Sequence, residues 1–193
     1  MGHILTVIKH RNAVCRNCFR AGIPWRGLVH DLSKFSPTEL FPGIRYYQGN
    51  RSPNEREREL FGYSKAWLHH KGRNRHHFEY WNDVNMQTHR YEPVKMPTVF
   101  AVEMFCDRVG ASKVYRGKDY TDADPLNYFL RGNARAKMHP DTADELERRL
   151  RLLAEKGADA AFAEVRAEVK AAKREEKEKR KAEKKKLKGS PEK

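Results

Sequence analysis

The sequence predicts an all-α protein, with a compact helical bundle followed by a charged helical extension. Apolar residues recur at helical spacing in the first stretch, and prolines with capping residues precede the later polar-apolar segments. No convincing run of alternating apolar and polar residues predicts a strand. The 193 residues suffice for one helical core, and the apolar content of 38% is modest because the end of the chain is almost wholly polar.

Helix boundaries are marked by proline, by a serine three residues before a glutamate, and by glycine. In chain order these signals are Gly22 with Pro24, capping boxes at 36–39 and 52–55, Pro97, Pro140 and Gly157. We therefore expect residues 1–139 to form the main helical domain. Residues 140–157 are expected to form a helix that packs on it, and residues 158–193 a charged helical or disordered tail.

Charge is concentrated at the end of the chain. The net charge is +14, and residues 170–193 contribute +7 of it, with 12 Lys and Arg against 5 Glu. Strong helix formers with Glu and Lys near i, i+4 spacing predict a solvated helix there. The alternative to a solubilising tail is weak contact with nucleic acid or another polyanion.

The three cysteines predict no disulfide framework. Cys15 and Cys18 form a C-x-x-C on the expected first helix, without a second such pair, so reduced thiols are expected. The opening ILTVI is too short for a signal sequence or a membrane span, and a cytoplasmic protein with no membrane partner is the expectation.

Polar residues at helical positions that should be buried are the first candidates for a site. His30 and Asp31 are adjacent in GIPWRGLVHDLSKFSPTEL; on a helix they point about 100° apart and would grip one ion above the ridge between them. His10 lies between Val7 and Val14 on the apolar stripe of the first helix. A histidine in that position requires a polar partner, and a shared metal ion would supply it.

A second candidate pair is Glu103 and Asp107, which are embedded in the apolar run VFAVEMFCDRV. Spaced four residues apart, they share a helix face. A buried carboxylate is costly unless it is paired, protonated or bound to metal. For Glu103 the alternatives are an ion pair with Arg108 or a hydrogen bond that orients a ligand histidine.

The segment LHHKGRNRHHFEYW contains two histidine doublets seven residues apart. His70 and His77 would share a face of a continuous helix, whereas Gly72 and Asn74 are equally compatible with a tight turn. Imidazole nitrogen with carboxylate oxygen suits Mn, Fe, Co, Ni or Zn, and the absence of thiolates argues against a closed structural zinc site. A surface or aromatic packing motif is the alternative. The four histidines are His69, His70, His76 and His77.

Basic residues near these histidines predict an anionic substrate. Lys34, Arg73, Lys65 and Arg51 would surround the ions with positive charge, which favours a phosphate through charge-assisted hydrogen bonds. Each of them could instead be a solvated surface cation. Nearby aromatic residues are candidates for stacking a base, although packing in the core is their commoner role; they are Tyr46, Tyr47, Trp67, Phe78, Tyr80 and Trp81.

The order of the histidines and aspartates in the chain resembles that of a known superfamily. The order of His10, His30 with Asp31, a later histidine cluster and Asp107 resembles the HD-domain superfamily of metal-dependent phosphohydrolases, and HDLSK resembles its HD-x-x-K variant. The motifs HDLSKFSP, YYQGNRSP and HHKGRNRHHFEYW are similar to those of an uncharacterised family of small bacterial and phage proteins. That similarity covers about residues 3 to 153.

The resemblance implies an HD-like fold for residues 1–139 and assigns ligands within it. One ion would be held by the first histidine, the HD pair and the distant aspartate. A second ion would recruit His70 and His77, with His69 and His76 as alternatives. Lys34 corresponds to a lysine that can contact a substrate phosphate. The implied ligands of the first ion are His10, His30, Asp31 and Asp107.

The function that follows is a metal-dependent phosphohydrolase acting on a nucleotide or a similar small phosphate ester, with one or two divalent transition-metal ions. Asp31 would orient the attacking water, while Lys34 and Arg73 would neutralise developing charge. Two alternatives stay open: an HD-type di-iron oxygenase, and a non-catalytic nucleic-acid-binding protein with a structural ion. For a phage-encoded chain the expected location is the host cytoplasm, and the oligomeric state is open.

Overall fold

The computed structural model describes residues 2–49 and 51–189, with side chains to residue 184. This part of the chain contains eight α-helices and one short β-hairpin, joined by turns and loops. The prediction of an all-α protein is confirmed. The helices are α1 (Gly2–Arg20), α2 (Pro24–Val29), α3 (Pro37–Arg45), α4 (Pro53–Phe61), α5 (Lys65–Arg73), α6 (Thr98–Arg116), α7 (Asp124–Arg131) and α8 (Pro140–Gly189). Single 3₁₀ turns span Leu32–Phe35, Phe78–Tyr80, Gly117–Asp119 and Arg135–Lys137.

The core forms where α1 and α8 pack against α6. The apolar run of α6 is buried, as the sequence predicts: Ala101, Val102, Phe105 and Val109 have almost no exposed surface. Helices α1 and α6 approach closely at Gly110. A Cβ there would lie 2.7 Å from Cγ2 of Val14 on α1, closer than two carbon atoms pack. This contact sets His10 on α1 opposite Asp107 on α6.

A second layer contains α3, α4 and α5, with α3 packed against both of the others. Proline begins α3 and α4, as the sequence predicts. The capping box at 52–55 is formed in part, because the Ser52 hydroxyl accepts a hydrogen bond from the Asn54 amide at 3.4 Å. The prediction of a capping box at 36–39 is wrong, because the Ser36 side chain accepts no hydrogen bond from an amide of α3.

The β-hairpin is the element that the sequence does not predict. Strand β1 (Asn82–Val84) pairs antiparallel with β2 (Tyr91–Pro93), and Asn82 lies opposite Pro93. Each strand has three residues, and the exposed β1 buries no face, so neither produces an alternating pattern. The turn between them is stabilised by the Asn85 side chain, which accepts a hydrogen bond from the Gln87 amide at 2.8 Å.

Helix α8 folds back on itself at Gly157, where φ is 78° and ψ is 171°. Only glycine adopts this conformation without strain, so the sequence signal for a helix end is confirmed at this residue. Ion pairs join the two halves: Arg148 to Glu164 at 2.6 Å and Arg149 to Glu168 at 2.9 Å. In one straight helix the Arg149 and Glu168 backbones would lie about 28 Å apart.

The second half of α8 differs from the expected tail. Ala161, Phe162, Val165 and Val169 are buried, and the Phe162 ring lies 5.4 Å from that of Phe105. The exposed extension therefore begins after Val169 and not at residue 158; its residues 190–193 lie outside the described part. Among the described residues, no helix is both long and apolar enough to cross a membrane.

Candidate metal centre

His30 and Asp31 lie in a turn, which corrects the expectation that they sit on a helix. Helix α2 ends at Val29; His30 is extended (φ −55°, ψ 129°) and Asp31 is left-handed (φ 52°, ψ 28°). Left-handed backbone is uncommon outside glycine, although aspartate is among the residues that tolerate it. The reversal turns both side chains toward one place, with Nε2 of His30 3.4 Å from Oδ2 of Asp31.

A first ligand group joins α1, this turn and α6. Nε2 of His10 lies 3.0 Å from Oδ1 of Asp107 and 3.5 Å from Nε2 of His30. Nε2 of His30 lies 3.6 Å from the same Asp107 oxygen. One donor atom of each residue lies within 4.8 Å of the others, which is the spacing that a single ion requires. We call His10, His30 and Asp107 group A.

A second ligand group lies on the other side of Asp31. Nε2 of His70 and Nε2 of His76 each lie 3.4 Å from Oδ1 of Asp31, and His77 completes a set within 4.8 Å. His70 is on α5, whereas His76 and His77 follow the end of that helix in a turn closed by a 3.1 Å hydrogen bond from the His77 amide to the carbonyl of Asn74. We call Asp31, His70, His76 and His77 group B.

The histidine segment thus adopts the tight turn and not the continuous helix. Both His76 and His77 belong to group B, although the sequence favours His77 and treats His76 as its alternative. His69 does not belong to either group; its Nδ1 lies 2.6 Å from Oε1 of Glu39.

Asp31 is common to the two groups. Its Oδ1 faces His70 and His76, while Oδ2 lies 3.4 Å from His30 and 3.8 Å from His10. Oδ2 also accepts a hydrogen bond from Nζ of Lys34 at 2.7 Å. A carboxylate that offers one oxygen to each set of imidazoles can bridge two cations.

Glu103 lies behind one histidine of each group and contacts the Nδ1 atom of both rings. Its Oε1 lies 3.1 Å from Nδ1 of His30 and 3.3 Å from Nδ1 of His76, and its Oε2 accepts a hydrogen bond from Nε of Arg26 at 2.6 Å. With Nδ1 directed at a carboxylate, each ring presents Nε2 to the site. The ion-pair partner of Glu103 is therefore Arg26 and not Arg108, the partner considered from the sequence.

Glu39 is the site residue that sequence reasoning assigns to the wrong role. Its Oε2 lies 2.7 Å from Nδ1 of His70 and its Oε1 holds His69, and the side chain is buried instead of capping α3. The contact depends on α3 packing against α5, so no local sequence signal identifies it.

The ligand groups shift one another's pKa values. Burial lowers the pKa of His30, but the charge of Asp31, the carboxylate of Asp107 and the hydrogen bond to Glu103 outweigh burial and raise it to about 10. Burial raises the pKa of Glu103, but the surrounding His30, His76 and Arg26 lower it to about 2. In the metal-free protein, Glu103 is therefore ionised and His30 protonated at neutral pH.

Unpaired buried atoms show whether a cation fits the site. Oδ1 of Asp31, both ring nitrogens of His76 and Nε2 of His77 have no hydrogen-bond partner. Buried polar atoms are nearly always paired, and four unpaired ones from a single cluster suit a shared ion. Nitrogen and carboxylate oxygen are ligands for divalent transition metals. The protein contains buried histidine and carboxylate clusters that could hold a metal.

A cavity of about 210 Å³ opens from the two groups. His10, Asp31, His70, His77 and Asp107 line it together with Lys34, and we call this part of the lining its inner end. Other walls come from the first turns of α1, the start of α4 and the end of α6.

The other predicted phosphate contacts are not brought to this cavity. Arg73 and Lys65 are exposed and do not belong to its lining. Arg51 is also absent from the lining and pairs with Glu59. Lys34 is the only lysine or arginine among the described residues that line it.

The fold and these groups define an all-α protein with a candidate buried metal centre. The chain belongs to a family of unknown function, DUF5662, whose model matches residues 1–152. The matched region contains every member of groups A and B. No significant match was found among curated proteins or among solved structures.

Proposed function

We propose that the protein is a metal-dependent phosphohydrolase that acts on a nucleotide or a similar small phosphate ester. His10, His30, Asp107 and Oδ2 of Asp31 would hold one divalent transition-metal ion. Oδ1 of Asp31 with His70, His76 and His77 would hold a second. When bound, such ions polarise a phosphoryl oxygen and lower the pKa of a coordinated water to near neutrality.

The observation that carries the proposal is the position of Asp31 between two sets of imidazoles. Its oxygens face different histidines at 3.4 Å, and its backbone is held in a left-handed conformation that directs the side chain there. Unusual backbone of this kind is concentrated at functional sites. An aspartate with a purely structural role would be expected to have both oxygens hydrogen-bonded, yet Oδ1 has no hydrogen-bond partner.

The chain's own residues have three tasks in the reaction. Nζ of Lys34 spends one donor on Asp31 and has two left for phosphate oxygens at the inner end of the cavity. Its positive charge stabilises the charge that develops on the phosphoryl group. Asp31 accepts a hydrogen bond from the attacking water and thereby orients it. Glu103 and Glu39 keep the histidine rings aligned.

Hydrolysis assays with purified protein test the proposal. The full-length protein, reconstituted with Mn, Co or Ni, should hydrolyse members of a panel of phosphomonoesters and diesters. Asp31→Asn keeps the shape of the side chain, and asparagine tolerates the left-handed backbone, so the fold should be retained. Because the carboxylate that would bind both ions is lost, the activity should fall at least about 100-fold. His89→Asn is the matched control, since His89 is exposed in the hairpin turn and, like Asp31, has a positive φ. The activity of this variant should be unchanged.

Two results would contradict the proposal. One is full activity of Asp31→Asn, or of the double variant His30→Ala with Asp31→Ala, in metal-free buffer. The other is turnover of iron-loaded protein that consumes oxygen and stops under nitrogen, which would favour the di-iron oxygenase instead.

A further inference from the structure

Among the described residues, the outer wall of the cavity, meaning its lining apart from the ligand groups, Lys34 and Glu39, carries no Asp, Glu, Lys or Arg side chain. Asp31, Lys34, Glu39 and Asp107 are the acidic and basic side chains of its lining other than histidine, and all four contact the ligand groups or belong to them. Beyond them the wall carries hydroxyl, amide and aromatic groups. His3 is the remaining imidazole of that wall, and burial followed by the charge of Lys34 lowers its pKa, which favours its neutral form.

A hydrogen-bond chain fixes which atoms of this wall are free. The Thr6 hydroxyl donates to the carbonyl of Gly2 at 3.0 Å, and it lies 2.9 Å from the hydroxyl of Tyr47. Since the single proton of Thr6 is used on Gly2, the Tyr47 hydroxyl donates to Thr6. The Tyr47 oxygen can then only accept a further hydrogen bond, so the ligand group that contacts it must be a donor.

The same wall is closely packed. A Cβ at Gly2 would lie 2.7 Å from Cε1 of Tyr47, and a Cβ at Gly43 would clash with the imidazole of His3. These two glycines allow the first turn of α1 to lie directly against Tyr47 and α3. The Tyr47 ring is thus packed against the first turn of α1, which positions its hydroxyl in the wall of the cavity.

These groups discriminate between kinds of phosphate ester. A phosphate dianion offers only acceptors, so it gains nothing from the Tyr47 oxygen, and no charged side chain of the described wall pairs with it there. A hydroxyl group can donate to Tyr47 and accept from neighbouring polar groups. The inner end, by contrast, has Lys34 and room for cations to receive one phosphate.

We infer that the site takes a substrate with a single phosphate carried on an uncharged, hydroxyl-bearing skeleton, and that Tyr47 and Thr6 recognise a hydroxyl of that skeleton. The inference rests on the proposed phosphohydrolase function. Sugar monophosphates and nucleoside monophosphates share this chemistry. A second phosphate on the same skeleton would lie against the uncharged wall and weaken binding.

Paired substrates test the number of phosphates. The metal-reconstituted full-length protein is assayed for consumption of fructose 6-phosphate against fructose 1,6-bisphosphate, and of AMP against ATP, at matched free metal concentration. We expect kcat/KM to be at least about tenfold higher for the monophosphate of the pair that is used, because burial of an unpaired charge is disfavoured. The two pairs distinguish a sugar from a nucleoside skeleton. A preference for the bisphosphate or the triphosphate overturns the inference.

Matched tyrosine variants test the recognition of a hydroxyl. Tyr47→Phe removes the acceptor and should raise KM for the preferred monophosphate about five- to tenfold, the usual cost of one hydrogen bond. KM for phenyl phosphate, which has no hydroxyl, should stay within about twofold. Thr6→Val should act in the same direction because it releases the Tyr47 hydroxyl. Tyr46→Phe is the control, since Tyr46 is the adjacent tyrosine and does not line the cavity.

The outcomes separate the inference from the function on which it rests. Equal changes of KM for both kinds of substrate in Tyr47→Phe would mean that the hydroxyl is structural, and would overturn the inference while hydrolysis of phenyl phosphate still supports the function. Failure of the wild-type protein to hydrolyse any of these esters, phenyl phosphate included, would overturn both.

Discussion

Individual side chains set the protonation of the metal centre. Because His30 has a pKa of about 10 in the metal-free protein, Nε2 and Nδ1 both carry protons at pH 8. Nδ1 donates to Glu103, and Nε2 must lose its proton before it binds a metal. Metal binding at pH 8 should therefore release about one proton from His30, and the apparent affinity should rise as the pH increases toward 10.

Calorimetry measures this proton release. Titration of metal into the metal-free protein in buffers of different ionisation enthalpy gives the number of protons from the slope of the apparent enthalpy. Glu103→Gln replaces the carboxylate whose hydrogen bond raises the pKa of His30, so it should release fewer protons than the wild type. An apparent enthalpy that does not depend on the buffer would contradict the protonation of His30.

The two carboxylates behind the histidines should differ in their effects on metal binding. Glu103 contacts one histidine of each group, whereas Glu39 contacts His70 of group B alone. Glu103→Gln should weaken binding of both ions about 10- to 100-fold, and Glu39→Gln should weaken one of them by a similar factor. Competition with a chelator of known affinity measures both constants. Identical binding curves for the two variants would contradict this assignment.

At the scale of elements, the α1–α6 contact determines whether group A can form. His10 and Asp107 lie on different helices that are held together at Gly110. In Gly110→Ala the new Cβ meets Cγ2 of Val14 at 2.7 Å, so the Val14 side chain or the helix that carries it must shift. We expect a loss of about 1–3 kcal/mol in the free energy of unfolding from overpacking, together with weaker metal binding in group A.

Gly72→Ala is the control for this change. Gly72 lies in the exposed part of α5, and a Cβ there meets no atom within 4 Å. Since alanine favours a helix over glycine, this variant should gain about 0.5–1 kcal/mol. Denaturant unfolding of both metal-free variants measures the two free energies, and a Gly110→Ala protein as stable as the wild type would disprove the close-packing argument.

Local signals predict most helix starts and part of the site, but not the contacts made across the fold. Proline and serine act within one helical turn, so Pro24, Ser52 and Pro140 could be recognised in the sequence. His10 and Asp107 could be recognised because a polar side chain on an apolar stripe requires a partner. Glu39 and Arg26 could not, because their partners are brought to them by the packing of separate helices.

At the scale of the whole molecule, the exposed end of α8 is separate from the cavity. None of its described residues beyond Val169 lines the cavity, and residues 170–193 carry a net charge of +7. We propose that this segment makes weak, salt-dependent contacts with nucleic acid. Deletion of residues 170–193 should lower the affinity for a DNA duplex several-fold near 50 mM salt and flatten its dependence on salt, while kcat/KM for a small ester is unchanged.

Fluorescence anisotropy with labelled duplex DNA over a range of salt concentrations measures the effect of this deletion. A variant with Lys177, Lys181 and Lys184 changed to Gln retains the length of the segment and should show an intermediate slope, because charge and not length sets the slope. Binding that is equally strong after the deletion would contradict the proposal, and lost catalysis with unchanged binding would assign the segment to the active site instead.

The account depends on one carboxylate that serves two ions. Elemental analysis of the protein, reconstituted with manganese or cobalt and freed of loose metal by gel filtration, tests this most directly. We predict two ions per chain for the wild type and fewer than two for Asp31→Asn. One ion or none per wild-type chain, or the same number in Asp31→Asn as in the wild type, would contradict a centre bridged by Asp31.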